Sequence, residues 1–415
     1  QAERAGPERR LNSQEQRLSE ELSALGKFKG ALSKFNSSLE GIADFSKFTG
    51  KTATVSESDY LSASASSSAV AGTYEVDIQD LARSNKLATP AGTFGASDDV
   101  VGTGELTFQF GTYDSGGDTF TLNPDRASET VTIDAESNTL EGVRDAVNEA
   151  DIGVRANIVN DGSGARLTFT SEETGEANGM RIAVSDNDGT NTDTSGLSRL
   201  AYDPTTGGPA NLVETQAAQD ASAIIDGIAV TSADNSLDDV VDGLSLDLKD
   251  TGVSEVSVSE NKGSARSAVE GFVEAYNSFM NTANALTKWD EEKEQGGPLI
   301  GDASVRMAVS RVQRMLSTPV EGVDGPFKTL SGLGIATQND GTLNVDSEQL
   351  NKALDQDMEA VGRLLSNSGK ATDDLVDFEG NSSATQSGTY ALEVTQEATQ
   401  GSYTGNGLGG FPIDI

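Results

Sequence analysis

Leu11, Leu18, Leu25, Leu32 and Leu39 stand seven residues apart, with Leu22, Phe28, Phe35 and Ile42 interleaved. A heptad stripe of this kind reads as one long helix over residues 1–48 that must lay an apolar seam against another helix. Gly26, Gly30 and Gly41 weaken that helix, so it depends on packing rather than propensity. The matching surface lies far along the chain. Ala268, Val269, Phe272, Val273, Tyr276, Phe279, Met280, Ala283 and Leu286 recur at steps of three and four, one face of a helix over 264–288. Pairing these two segments forces the chain to leave a helical unit, build whatever lies between, and return. Leu18, Leu25, Leu32, Phe272, Tyr276 and Phe279 are the residues expected to form the core or interface of that unit.

Between the helices the period switches from 3.6 to two. Residues 51–82 alternate small, β-branched and polar residues as half-exposed strands do. ELTFQFGTY, TFTLN and TVTID read as strands, TLEGVRDAVNEA as a short helix with Leu140, Val143, Ala146 and Val147 inward, and GVRANIVNDGSGARLTFTS as a hairpin turning at Asp161-Gly162. Residues 186–209, dense in Asp, Asn, Gly, Thr and Pro, read as a long loop. Asp226-Gly227 turns a further hairpin, and residues 215–260 are expected to pair with 51–90, leaving 100–210 as an insertion.

After the second helix, PLIGDASVRMAVSRVQRMLS gives a third, with Val305, Val309, Val312 and Leu316 on one side. Asn339-Asp340-Gly341 is a tight turn between two short strands. Asp346 or Ser347 caps a last helix whose Leu350, Leu354, Met358, Val361 and Leu365 face inward. Gly388-Thr389-Tyr390 echoes Gly72-Thr73-Tyr74 and follows the linker GNSSATQSG, which reads as the start of a further β unit. Gln1 with no initiator Met, and the close in GLGGFPIDI, read as the ends of a fragment.

The chain has 66 acidic and 29 basic residues, a net charge of −37, which argues against nucleic acid and against an anionic membrane as partners. No apolar run approaches the length of a membrane span. With no Cys and no His, thiolate nucleophiles, Cys-type zinc sites and the commonest general base are excluded. Carboxylate pairs abound but nothing singles one out for glycoside chemistry. Trp289, the single Trp, sits at a helix end and is expected to pack. Asp186 to Asp193 carries oxygen ligands at alternate positions, as calcium loops do, but lacks the closing Glu and reads as a solvated turn. No catalytic, cofactor-binding or metal residue is assigned.

Three segments in order, Phe272-Val273-Glu274-Ala275-Tyr276-Asn277, then Pro298-Leu299-Ile300-Gly301-Asp302, then LSGLGI…DGTLNVDSEQLNKAL over 330–354, resemble the C-terminal part of the bacterial flagellar hook-associated protein 2 family, the filament caps. Gly72 to Ala82 resembles a short motif shared by flagellar hook-associated proteins. The resemblance implies an α+β multidomain fold: a coiled-coil-like helical leg (1–50 and 263–370), a middle β domain (51–99 and 211–262), an outer α+β insert (100–210), and an additional β module beginning at 371–415. It implies a non-enzymatic cap at the distal flagellum tip, exported through the flagellar channel and forming a ring, pentamer-like in the family. Such a cap would promote folding and insertion of flagellin and prevent its loss. An alternative is a tip adhesin that binds host mucin or glycans through the outer β domain. No cofactor is implied.

Overall fold

In the computed structural model, residues 2–290, 295–320 and 325–366 are described, together with 376 and 390–393. The expected β unit from 371 onward therefore lies outside the described residues, apart from these few. In chain order the elements are α1 (Ala2–Ala43), β1 (Lys51–Val55), β2 (Leu61–Ala65), β3 (Gly72–Asp80), β4 (Ser84–Ala88), β5 (Gly104–Asp114), β6 (Thr119–Leu122), β7 (Glu129–Ile133) and α2 (Leu140–Glu149). There follow β8 (Val154–Asn160), β9 (Ala165–Thr174), β10 (Gly179–Asp186), β11 (Val213–Gln216), β12 (Ala221–Ile225), β13 (Ile228–Ser232), β14 (Ser236–Val241), β15 (Leu244–Leu248) and β16 (Gly252–Glu260). The chain then runs through α3 (Lys262–Thr287), β17 (Trp289–Asp290), β18 (Gln295–Gly296), α4 (Ala303–Ser317), β19 (Ile335–Thr337), β20 (Leu343–Val345) and α5 (Ser347–Leu365). Two compact units result: one from residues 46–269, the other from 1–45 together with 270 onward. The fold is α+β with several antiparallel sheets.

The unit of residues 46–269 holds two hydrophobic cores. One lies in a five-stranded antiparallel sheet, ordered β1-β16-β3-β12-β13, and a three-stranded sheet, β14-β15-β2. Val76, Ile78, Leu246, Val256 and Leu61 are among its buried residues. Residues 215–260 thus pair with 51–80, through registers such as Val256↔Tyr74 and Leu246↔Ala63. Asp226 (φ 48°) and Gly227 (φ 83°) both adopt the left-handed conformation that a two-residue hairpin turn requires.

The second core is built on β10-β5-β6 with β7 also on β5, and on β11-β4-β9-β8. Phe108 and Phe169 meet edge to face at 5.6 Å within it. Helix α2 adds Leu140, Val143 and Val147, all fully buried, and Thr139 caps it by accepting from Gly142 N at 3.2 Å. The stretch 186–209 is not the open loop expected. Residues 179–186 form a strand, and Gly196–Leu200 makes a 3-10 turn that puts Leu197 and Leu200 into the core. Asp186 closes the loop: its Oδ1 accepts from Asp188 N at 3.1 Å and its Oδ2 from Ser198 N at 2.8 Å. The leucines three apart match the 3-10 repeat, and polar neighbours that bond to the local backbone allow it to dip inward.

Candidate functional site

In the helical unit α1 meets α3 through aromatic side chains. Phe35 lies 5.7 Å from both Tyr276 and Phe279 and 6.1 Å from Phe272, while Phe28 lies 5.7 Å from Phe279. All five rings are buried. On α1 the inward residues are Ala24, Phe28, Phe35 and Ile42, with Ala31 and Ser38 half-buried between them. That 4-3-4 spacing is a heptad seam, with Phe28, Phe35 and Ile42 at one core position and the small Ala24, Ala31 and Ser38 at the other. The leucine stripe sits one residue beyond the small positions, beside the seam rather than in it. Leu18 is 59% exposed, Leu25 is 37% exposed and Leu32 is half-buried. Of the six residues expected to form the core, Phe272, Tyr276 and Phe279 are therefore fully inside, and Leu18 and Leu25 are not. Two heptad series run along α1, and ring-to-ring packing against α3 selects the aromatic one. From Glu8 to Glu20 every residue of α1 is exposed. Below the seam Lys27, Gly30, Lys34, Ala275, Ser278 and Thr282 line a shallow groove of about 380 Å³.

Helix α3 is also where the three sequence segments singled out above converge. Asn277 clamps β20 with its carboxamide: Nδ2 donates to the Leu343 carbonyl at 2.8 Å and Oδ1 accepts from Leu343 N at 2.7 Å. A side-chain amide thereby makes the pair of bonds a neighbouring strand would make. One residue earlier, the Tyr276 hydroxyl donates to the Gly341 carbonyl at 2.9 Å, and burial pushes that phenol above its ordinary range. Two turns further on, Asn284 Nδ2 donates to the Asp340 carbonyl at 2.9 Å. Helix α3 thus holds successive backbone groups of the turn and strand.

The turn itself is made locally. Asp340 Oδ1 accepts from the Thr342 hydroxyl at 2.6 Å and from Thr342 N at 2.9 Å, and the hydroxyl contact leads in holding its carboxyl below the usual range. Gly341 has φ 88°, and a Cβ there would stand 2.8 Å from the Met280 methyl. The Pro298–Asp302 segment docks at the other end of α3. Leu299 N donates to the Leu286 carbonyl and Gly297 N to the Lys288 carbonyl, each at 2.9 Å, satisfying acceptors that a helix end leaves open. Asp302 then caps α4, accepting from Ser304 N at 2.8 Å and Val305 N at 3.1 Å.

Gly334 ends the Leu330–Leu333 turn at φ 81°, between buried Leu333 and Ile335, and its carbonyl accepts from Asp346 N at 2.8 Å. Asp346 caps α5 through Glu348 N and Gln349 N. Within α5, Asp357 takes an extended conformation and recaps the helix, its Oδ1 accepting from Ala360 N at 2.7 Å. Neither Gly nor Pro stands at that break.

Trp289 is 59% exposed on the two-residue strand β17, so it does not pack as expected. α3 ends at Thr287, two residues before it, which carries the indole past the helix's buried face. Among the described residues no group of three or more acidic side chains is arranged to hold a metal ion. No described helix is long and apolar enough to cross a membrane.

The chain is thus α+β, with helices from both ends of the sequence, antiparallel sheets from its middle, and α3 holding the segments around Leu299 and Leu343. A model of the flagellar hook-associated protein 2 N-terminus matches residues 1–85, and one of its C-terminus matches residues 218–404. The B-type flagellar hook-associated protein 2 of Pseudomonas aeruginosa is 39% identical over 332 residues, 76% of this chain and 65% of that protein. The flagellar hook-associated protein 2 of Escherichia coli K12 is 30% identical over 334 residues, 77% of this chain and 67% of that protein. The crystal structure of the D1-D2-D3 domains of the flagellar cap protein FliD from Escherichia coli superposes with a TM-score of 0.66 at 30% identity, over 82% of this chain and 90% of that one. The chain belongs to the flagellar hook-associated protein 2 family. It spans about two thirds of the length of these curated relatives.

Proposed function

We propose that this chain is the structural part of a flagellar filament cap: a non-enzymatic protein at the distal tip, outside the cell, that promotes folding and insertion of exported flagellin and prevents its loss. The observation that carries the reading is the convergence on α3. Tyr276 and Asn277 in one family segment bind Gly341 and Leu343 in another, and Leu286 accepts from Leu299 in the third. The residues that mark the family are thus the residues that assemble its helical unit. On this reading residues 1–50 and 263–370 act as a leg, 51–99 with 211–262 and 100–210 as head domains, and copies of the protein form a ring. The adhesin alternative has no support in the fold or in the relatives named.

The test uses the intact gene product in a strain that lacks its own cap and leaks monomeric flagellin. Filaments should return and secreted monomer should fall. Persistent leakage, with the protein present in the medium and the cognate flagellin supplied, would refute the capping role.

A further inference from the structure

Helix α4 differs in charge from the rest of the chain. Its sequence, ASVRMAVSRVQRMLS, has three arginines and no acidic residue, in a protein of net charge −37. It is the one α-helix among the described residues without an acidic side chain. Val305 is its only fully buried residue, and Val309, Val312 and Leu316 continue that inward face half-buried. The opposite face presents Met307, Arg311, Arg314 and Met315, at steps of four, three and one, and all four are exposed. Past the helix end, Arg311, Arg314 and Met315 line an open groove with Thr318, Pro319 and Val320.

Two properties of this face call for a partner. Arg311 and Arg314 are neighbours on the helix, and like charges so placed repel by a few tenths of a kcal/mol. Neither is in an ion pair or side-chain hydrogen bond among the described residues, although acid outnumbers base more than two to one in the chain. Arg314 gains something from the helix C-terminus, but Arg311, a turn earlier, does not. In addition, Met307 and Met315 are 66% and 69% exposed beside them. Arginine and methionine are the side chains enriched at interface centres, where arginine pairs with carboxylate and methionine adapts its shape.

We propose that the outward face of α4 docks a second copy of this chain. The argument for that occupant is charge complementarity. Copies of a −37 protein repel one another, and association needs a place where base meets acid. α4 supplies base without acid, and the chain as a whole carries 66 acidic residues against 29 basic ones. The inference deepens the ring reading and rests on it only for the claim that copies associate.

Sedimentation of the full chain over a range of concentrations tests it. The unmodified chain should self-associate reversibly at low salt and dissociate in molar salt, where the Debye length falls to about 3 Å. Arg311→Glu with Arg314→Glu should weaken association about tenfold or more while leaving the rest of the fold intact, since neither side chain has an ion pair or side-chain hydrogen bond to lose and only Arg314 gives up its place at the helix C-terminus. Met307→Ser with Met315→Ser should weaken it without changing its salt dependence. Arg144→Glu with Arg155→Glu, an equal charge change elsewhere, should leave it intact. A monomer at every concentration, full association of the α4 reversal variant, or equal loss in the control would each overturn the proposal. So would a chain that stays monomeric yet binds monomeric flagellin through α4, which would make flagellin the occupant. None of these outcomes bears on capping, which the filament assay reads separately.

Discussion

Phe35→Ala is the perturbation that most sharply separates the aromatic seam from the leucine stripe. Phe35 is buried and touches three rings, at 5.7, 5.7 and 6.1 Å. Burying such a side chain contributes about 1.5–3 kcal/mol, and each well-placed ring pair adds about 0.5–1.5 kcal/mol. Part of this is recovered if α1 leans into the space left, because Ala31 and Ser38 already allow close approach. The net loss expected is about 3–5 kcal/mol, the usual range for phenylalanine truncation in a core. For a unit of this size that lowers the midpoint of the helical transition by about 6–20 °C. Leu18→Ala, on the exposed stripe, should change stability by no more than about 0.5 kcal/mol. The assay is thermal unfolding of both variants followed by far-ultraviolet circular dichroism. Equal shifts for the two, or a larger one for Leu18→Ala, would refute the assignment of the seam.

Three further outcomes are expected. Gly334→Ala should cost at least about 2 kcal/mol in urea unfolding, because φ is 81° and the added Cβ would stand 2.6 Å from Gln349 Cβ; an unchanged midpoint would contradict this. In alkaline titration of the seven tyrosines by absorbance, Tyr202 (pushed up to about 12 by burial) and Tyr276 should ionise late. Raised phenol values mean that the neutral form favours the fold, so this stability is intact below about pH 10 and is lost as pH rises through the folded values; Tyr276→Phe should remove part of the late phase. In acid the sign reverses. The Asp302 cap and the Asp340 turn have lowered carboxyl values, chiefly through the Ser304 and Thr342 hydroxyls, so their contribution holds above about pH 4 and is lost as pH falls further. Asp340→Asn should flatten the acid limb of the unfolding curve.

Much of this was legible in the sequence because it is local. The three-and-four periodicity of α3, the Asp346 cap, the Asp226-Gly227 hairpin and the inward face of α2 each depend on a few consecutive residues. The family segments were legible too, though not the reason for them: only the fold shows Asn277 reaching the backbone of Leu343 across the unit. Where the structure departs from the sequence expectation, equivalent local patterns compete. Both heptads of α1 satisfy the same spacing, and the choice between leucine and phenylalanine depends on the rings of α3 far along the chain. Leu197 and Leu200 stand in a polar stretch whose composition signals a loop, yet a buried carboxylate at Asp186 pins that stretch inward. The uncovered face of α4 was invisible for the opposite reason. A sequence shows which residues are basic, not which of them lack a partner.

Hydrogen exchange at the backbone of residues 297–299 and 341–346 tests the central claim most directly. If α3 is the dock for the family segments, the amides of Leu299 and Leu343 should exchange slowly, in step with the core of α3, since they donate to Leu286 and Asn277. Asn277→Ala should then speed Leu343 without affecting the strands of residues 46–269. Exchange of both amides at the rate of open loops in the unmodified chain would contradict the account.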